Sequence, residues 1–157
     1  MEHLVPFRHP AVLLLLVLPA EALTTVFAAM VDAGSTPCGA QAMHQARIER
    51  GTPWAGIDVT EANLPQELAR DARTLSFTKG CYIGQETVAR IDALGHVNRT
   101  LVGVRFGGPR RETHETAPEI TLDGNPIGQV TSWAHSPRLG APLALAYVRA
   151  AQLPPLS

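Results

Sequence analysis

The sequence predicts an α+β fold in two parts, with helices before Gly95 and short antiparallel strands after it. Two patterns carry this prediction. Apolar residues recur at helical spacing between residues 20 and 50, whereas beyond Gly95 short runs of alternating polarity are separated by turns rich in Gly and Pro. We therefore expect an α+β part over residues 1–95 and an all-β part over residues 96–157.

An apolar run over residues 11–18 opens the first part and predicts a buried strand. A signal-peptide core is the alternative, but the basic flank is weak, and the run is far shorter than the roughly 18 residues of a membrane span. From Ala20 the apolar spacing predicts a helix that lies on a sheet and ends at Gly34. A second helix is predicted from Gly39 to Arg50, with Gly51 as its stop.

The stretch from residue 52 to residue 73 contains two prolines and several acidic residues, so it predicts an irregular connection. Within it, Gly56–Val59 reads as a short strand. Asp58 and Glu67 are predicted to be caps or turn residues. In the second part, side chains two residues apart share one face of a strand. This spacing groups Val102 with Val104 and Phe106, and Leu143 with Leu145 and Tyr147.

The amino-acid composition limits the classes of function that this chain is expected to have. The chain has 157 residues, of which 45% are hydrophobic and 17% charged, so an ordinary globular core is expected. A formal net charge of −1 gives no overall attraction to nucleic acid or to an anionic membrane. Two cysteines, Cys38 and Cys81, suit a reducing, cytoplasmic setting better than a disulfide scaffold, although one disulfide between them stays open. The histidines and cysteines show no metal-ligand spacing.

One stretch contains more potentially reactive side chains than the rest of the sequence. It is the run Lys79-Gly80-Cys81-Tyr82-Ile83-Gly84-Gln85-Glu86, followed by Arg90. A thiol becomes a strong nucleophile when it ionises, and nearby cations or helix amides favour the thiolate. Lys79 and Arg90 could supply that field, and a helix is predicted to start at Gln85. The alternative makes Cys81 a small hydrophobe at a tight turn and Glu86 with Arg90 an exposed pair.

Residues 79–90 resemble the signature of the YgfZ-type folate-binding proteins, which are relatives of the glycine-cleavage T-protein, an aminomethyltransferase. The resemblance implies a tetrahydrofolate-type cofactor. It also implies a fold: the second ferredoxin-like half of a folate-binding domain, followed by a small antiparallel β-barrel. It continues through further segments upstream and downstream of the loop, namely residues 47–53, 56–58, 63–67, 95–99, 128–132, 136–140 and 144–148.

The resemblance assigns roles by position. It makes Cys81 and Lys79 catalytic, and it favours the YgfZ branch because T-proteins usually have an acid in place of Cys81 and an arginine in place of Gln85. For Arg47 and Glu49 an ion pair with Lys79 or Arg90 is the structural alternative. The cofactor-binding set is Arg47, Glu49, Gly80, Tyr82, Gly84, Gln85, Glu86 and Arg90.

Three functions follow from the resemblance. The first is a folate-binding accessory protein in iron–sulfur cluster assembly or repair, and through it in tRNA modification, with iron–sulfur client or assembly proteins as partners. The second is a non-catalytic interaction module. The third is tetrahydrofolate-dependent aminomethyl transfer. Family members are longer at the N-terminus, so we expect a C-terminal fragment whose missing half could come from another chain. Such a fragment should expose apolar surface and self-associate.

Overall fold

The computed structural model describes residues 3–5, 14–70, 75–76, 78–81, 84–95, 97–107 and 119–153. Within them a mixed α/β fold is built on one antiparallel sheet, whose strands lie in the order β1-β2-β5-β4-β3. The strands are β1 (His3–Val5), β2 (Arg99–Arg105), β3 (Glu119–Leu122), β4 (Asn125–Ser136) and β5 (Ala141–Arg149). The helices are α1 (Leu23–Asp32), α2 (Ala40–Glu49) and α3 (Gln85–Leu94), with 3-10 turns at Ala20–Ala22, Pro65–Leu68 and Ala150–Gln152.

Strand β5 is the centre of the core, because its side chains alternate between two apolar clusters and every residue from 141 to 148 is buried. The predicted grouping of strand faces is confirmed. One cluster comprises Ile48, Leu101, Ala134, Leu143, Leu145 and Tyr147, with Leu68 and Leu139 packed against it. The other comprises Val104, Ile120, Val130, Ala144, Ala146 and Val148, with Val102 and Phe106 among its neighbours.

Helix α2 joins the first part of the chain to this sheet. It begins after Gly39 and is followed by Gly51, whose φ of +64° ends it in the left-handed region, so the predicted helix is confirmed. Ile48 is fully buried in the cluster shared with β5. Its burial fixes the neighbouring residues of α2 against strand β4.

The predicted buried strand is wrong over residues 14–18, which have no regular secondary structure and are exposed. Residues 11–13 of that prediction lie outside the described residues. Helix α1 and the left-handed Gly34 (φ +94°) are confirmed, but α1 has no buried residue and does not lie on the sheet. A strand is buried only between hydrogen-bonded neighbours and covered faces, and the described elements place neither beside this segment.

The predicted strand at Gly56–Val59 is also wrong, because residues 56–58 form a turn. The carbonyl of Trp54 accepts hydrogen bonds from the amides of Ile57, Asp58 and Val59. The carboxylate of Asp58 in turn accepts the Trp54 amide at 2.9 Å, which closes the turn. This confirms Asp58 as a turn residue.

Three features of the predicted fold stay predictions. They are the division of the chain into two parts, the closure of the sheet into a barrel, and the ferredoxin-like character of the first part. His96, near the expected boundary, lies outside the described residues. Strand β1, from the first predicted part, pairs with β2, from the second, through His3 opposite Arg105. Within the described residues no helix has the length and hydropathy needed to cross a membrane.

Candidate functional site

The cysteine loop is open to solvent where it is described. Lys79, Gly80 and Cys81 are exposed, and the Cys81 thiol is free, as is that of the exposed Cys38. An exposed thiol adds little to packing, so this placement does not suit the small-hydrophobe alternative for Cys81. Tyr82 lies outside the described residues. The Lys79 amide donates to Ser76 Oγ at 3.2 Å.

Helix α3 starts at Gln85, as predicted, and Gly84 precedes it with a φ of +87° that L side chains rarely adopt. Gln85 is half-buried, whereas Glu86 and Arg90 are exposed. Gly84 therefore leads into the start of a ten-residue helix, where backbone amides lack intrahelical partners.

The 3-10 turn at Pro65–Leu68 anchors this helix. Gln66 Nε2 donates to the carbonyl of Val88 at 3.0 Å, and Val88 is itself buried. Glu67 accepts the Leu64 amide, which confirms it as a cap, and it also accepts Arg99 Nε at 2.9 Å. This last hydrogen bond is the main reason that the pKa of Arg99 is raised. Since Arg99 is 43% exposed, the pair adds at most about 1 kcal/mol to stability.

Arg47 does not reach the loop through the contacts that the structure describes. Its Nη1 donates to Asp58 Oδ2 at 2.6 Å and its Nη2 to Ser132 Oγ at 2.6 Å. Its guanidinium also lies over the Trp54 ring, 4.4 Å from the centroid. The residue is 3% exposed. The described ion pair of Arg47 is thus with Asp58, and a folate contact from Arg47, which stays a prediction, would have to replace one of these bonds.

Asp58 joins the turn, helix α2 and the sheet. Thr131 Oγ1 donates to its Oδ1 at 2.5 Å, and Tyr147 Oη donates to its backbone carbonyl at 3.0 Å. Burial alone would raise the pKa of Asp58, but hydrogen bonds from Ser132, Thr131 and the Trp54 amide, with the charge of Arg47, hold it below its usual value. The carboxylate of Asp58 is therefore ionised although it is buried.

Ionisation of Tyr147 should make the stability of the folded protein depend on pH in the alkaline range. Burial, followed by the charge of Glu67, raises the pKa of Tyr147 to about 12, against the opposing effect of Arg99. A raised pKa means that the protonated phenol stabilises the folded state fully below the unfolded pKa of about 10. We expect the free energy of unfolding to fall between about pH 10 and pH 12.

Urea unfolding of the wild type and Tyr147→Phe across this range checks that expectation. The variant should be about 1 kcal/mol less stable at pH 8, because the Asp58 carbonyl loses its donor. It should also lose less stability than the wild type as the pH rises from 10 to 12. Parallel pH profiles for the two proteins would contradict the assignment.

Glu49 ties helix α2 to the β4–β5 turn. Its carboxylate accepts Ser136 Oγ and the Arg138 amide, and Arg138 Nε lies 3.9 Å from it. Its expected folate contact stays a prediction. Sequence reasoning proposed Arg47 and Glu49 as ligand contacts and missed their partners on β4, Ser132 and Ser136. The available signal was the position of these two small hydroxyl residues, each two residues from the apolar Ala134.

A groove of about 500 Å³ runs between α2 and β4. His44 Nε2 lies 3.3 Å from the Trp133 carbonyl at its floor, and Ile57 forms one wall. The ring of Trp54 packs on the guanidinium of Arg47. Within the described part of the chain no group of three or more His, Cys, Asp or Glu side chains could hold a metal ion.

Residues 99–155 match the family model of the glycine cleavage T-protein C-terminal barrel domain. Together with the mixed α/β fold, this match supports a place for the chain in the T-protein-like superfamily. The narrower YgfZ-type assignment stays a prediction.

The relatives and a solved structure agree with that class. The chain is 36% identical over 138 residues to an aminomethyltransferase of Herpetosiphon aurantiacus, covering 88% of this chain and 37% of the relative. It is 36% identical over 126 residues to an aminomethyltransferase of Streptomyces avermitilis, covering 78% and 33%. The crystal structure of glycine cleavage system aminomethyltransferase T from Bartonella henselae superposes with a TM-score of 0.67 at 26% identity, covering 84% and 36%. The chain thus spans about a third of the length of each of these proteins.

Proposed function

We propose that this chain forms the C-terminal part of a tetrahydrofolate-dependent protein of the T-protein-like superfamily, with aminomethyl transfer as its reaction class. The observation that carries the proposal is the superposition of 84% of the chain on an aminomethyltransferase. The names of the relatives favour this reaction over iron–sulfur maintenance.

The cysteine loop has features that suit a folate. A Cβ built on Gly80 or Gly84 meets no described atom within 4 Å, so a ligand has room beside the backbone. The glutamate tail of a folate is anionic, and it suits the exposed Arg90 and the amides at the start of α3. Lys79, Gln85 and Glu86 would orient the ligand, while Tyr82 lies outside the described residues. Bound tetrahydrofolate would supply the acceptor for the one-carbon unit.

A chimera tests the reaction class. This chain would replace the matching region of the Herpetosiphon aurantiacus aminomethyltransferase, and transfer from an aminomethylated lipoyl carrier protein would be measured with and without tetrahydrofolate. We expect turnover that requires tetrahydrofolate and survives Cys81→Ala, because the thiol has no part in this reaction. A folded chimera without turnover would contradict the proposal.

Iron–sulfur cluster maintenance is the second candidate, and the free, exposed Cys81 thiol favours it. In this function Cys81, beside Lys79, would exchange with a disulfide or bind iron transiently. Complementation of a strain lacking the YgfZ-type factor separates the candidates. Rescue that Cys81→Ala abolishes would select iron–sulfur maintenance, whereas rescue that survives Cys81→Ala would exclude a catalytic thiol. For both candidate functions we also propose a cytoplasmic location. For both, we propose that a second chain could supply the remaining half.

A further inference from the structure

The 3-10 turn between α2 and α3 makes contacts in three directions through three consecutive residues. Gln66 Nε2 donates a hydrogen bond to the Val88 carbonyl of α3. The carboxylate of Glu67 accepts Arg99 Nε of β2. The side chain of Leu68 packs against the apolar cluster on one face of β5. The turn therefore ties helix α3 both to a strand of the sheet and to the core.

Val88 carries this connection from the turn to the cysteine loop. Its carbonyl accepts Gln66 Nε2 at 3.0 Å, and its amide donates to the carbonyl of Gly84 at 3.1 Å. Val88 is also buried, so its position within the fold is fixed by packing. Gly84 is the residue at which the loop leads into α3. Two hydrogen bonds thus connect the side chain of Gln66 with the end of the cysteine loop.

The stability of the fold does not account for a glutamine at position 66. The Val88 carbonyl can only accept, so the amide nitrogen of Gln66 faces it and the oxygen points away. That oxygen, Oε1, is buried and has no hydrogen-bond partner among the described residues. An unpaired buried oxygen costs at least as much as one hydrogen bond contributes. Without Gln66 the Val88 carbonyl keeps the amide four residues on, because α3 continues to Leu94. The use of this glutamine therefore lies in its hold on α3.

We propose that Gln66 is a positioning residue for the proposed folate site, because it holds α3 where the cysteine loop and the first amides of the helix meet the ligand. The ligand rests on the proposed function, whereas the hold on α3 does not. Ala69, directly after the turn, has a φ of +52°, a strained conformation that persists only where its surroundings fix it. The turn thus gives α3 one fixed support. Loss of the Gln66 donor loosens α3 without destabilising the fold.

Gln66→Met separates positioning from stability. In urea unfolding of the full chain its midpoint should equal or exceed that of the wild type, because removal of the unpaired oxygen offsets the lost hydrogen bond. Hydrogen exchange of the amides of residues 85–94, followed by mass spectrometry, should be about fivefold faster. In the Herpetosiphon aurantiacus chimera, 5-formyltetrahydrofolate should bind about threefold more weakly, because the site is less preorganised. Gln129→Met, the same change at an exposed position of β4, is the matched control and should alter none of the three.

Gln66→Glu is the second variant. It keeps the shape of the side chain but turns a carboxylate without a donor towards the Val88 carbonyl, so exchange in residues 85–94 should again be faster. Unchanged exchange there in both variants would overturn the proposal. So would a lowered urea midpoint of Gln66→Met with faster exchange along the whole chain, or folate affinity that is unchanged although α3 exchanges faster. If the wild-type chimera does not bind folate, the proposed function fails, and the exchange measurement alone decides whether Gln66 holds α3.

Discussion

Arg47→Met is expected to lower the free energy of unfolding by about 3–5 kcal/mol, because it leaves a buried carboxylate without its cation. Arg47 and Asp58 are both almost fully buried, and their atoms lie 2.6 Å apart. Methionine retains much of the apolar volume of arginine, so the loss reports mainly on charge and hydrogen bonds. Urea unfolding at pH 7 measures it.

Two comparisons make this prediction specific. Arg138→Met removes a half-exposed arginine 3.9 Å from Glu49, and it should cost less than about 1 kcal/mol. The pH dependence gives the second. Since the folded pKa of Asp58 is lowered, its ionisation stabilises the wild type above the unfolded pKa of about 3.9, and this stabilisation disappears as the pH falls through the folded pKa. The effect of Arg47→Met should therefore shrink in acid. Equal losses for the two variants would refute the structural role of Arg47.

Gly128→Ala is expected to lower the free energy of unfolding by about 1–3 kcal/mol or more, because β4 and β5 approach closely at this position. A Cβ on Gly128 would lie 2.5 Å from the Tyr147 carbonyl oxygen and 3.1 Å from Val148 Cγ2. The Tyr147 carbonyl belongs to the central strand, which is paired on both sides, so the backbone cannot move without disturbing two ladders. Thermal and urea unfolding measure the change.

Gly80→Ala is the matched control for this substitution. A Cβ there meets no described atom within 4 Å, and its φ is not in the left-handed region, so stability should change by less than about 0.5 kcal/mol. If Gly128→Ala were as stable as Gly80→Ala, the described packing of β4 on β5 would be wrong.

Local sequence patterns correctly predicted the helices and strands that are defined by residues close together in the sequence. The period of α2 and the left-handed glycines after α1 and α2 mark helix ends by their own chemistry, and alternation in β2 and β5 groups the side chains that share a face. The prediction of a buried strand at residues 14–18 was wrong, because burial of an apolar run requires a neighbouring strand. No local sequence pattern shows whether such a neighbour is present.

The buried network was beyond sequence reasoning for a related reason. Arg47 is separated from Asp58 by 11 residues and from Ser132 by 85, and a turn that was mistaken for a strand holds the carboxylate in place. The family resemblance implied a ligand contact for Arg47, and an ion pair was the structural alternative. Only the fold shows that Asp58 is the described partner.

Isothermal titration of the Herpetosiphon aurantiacus chimera with 5-formyltetrahydrofolate, a stable folate, tests the central claim most directly, because the chimera combines this chain with the rest of the relative's length. We expect saturable binding of one folate per chain. Arg90→Ala, in the cysteine loop region, should weaken binding about tenfold, and Arg149→Ala, an exposed arginine at the end of β5, should leave it unchanged. No detectable binding, or equal weakening by both variants, would contradict the claim that this chain carries part of a folate site.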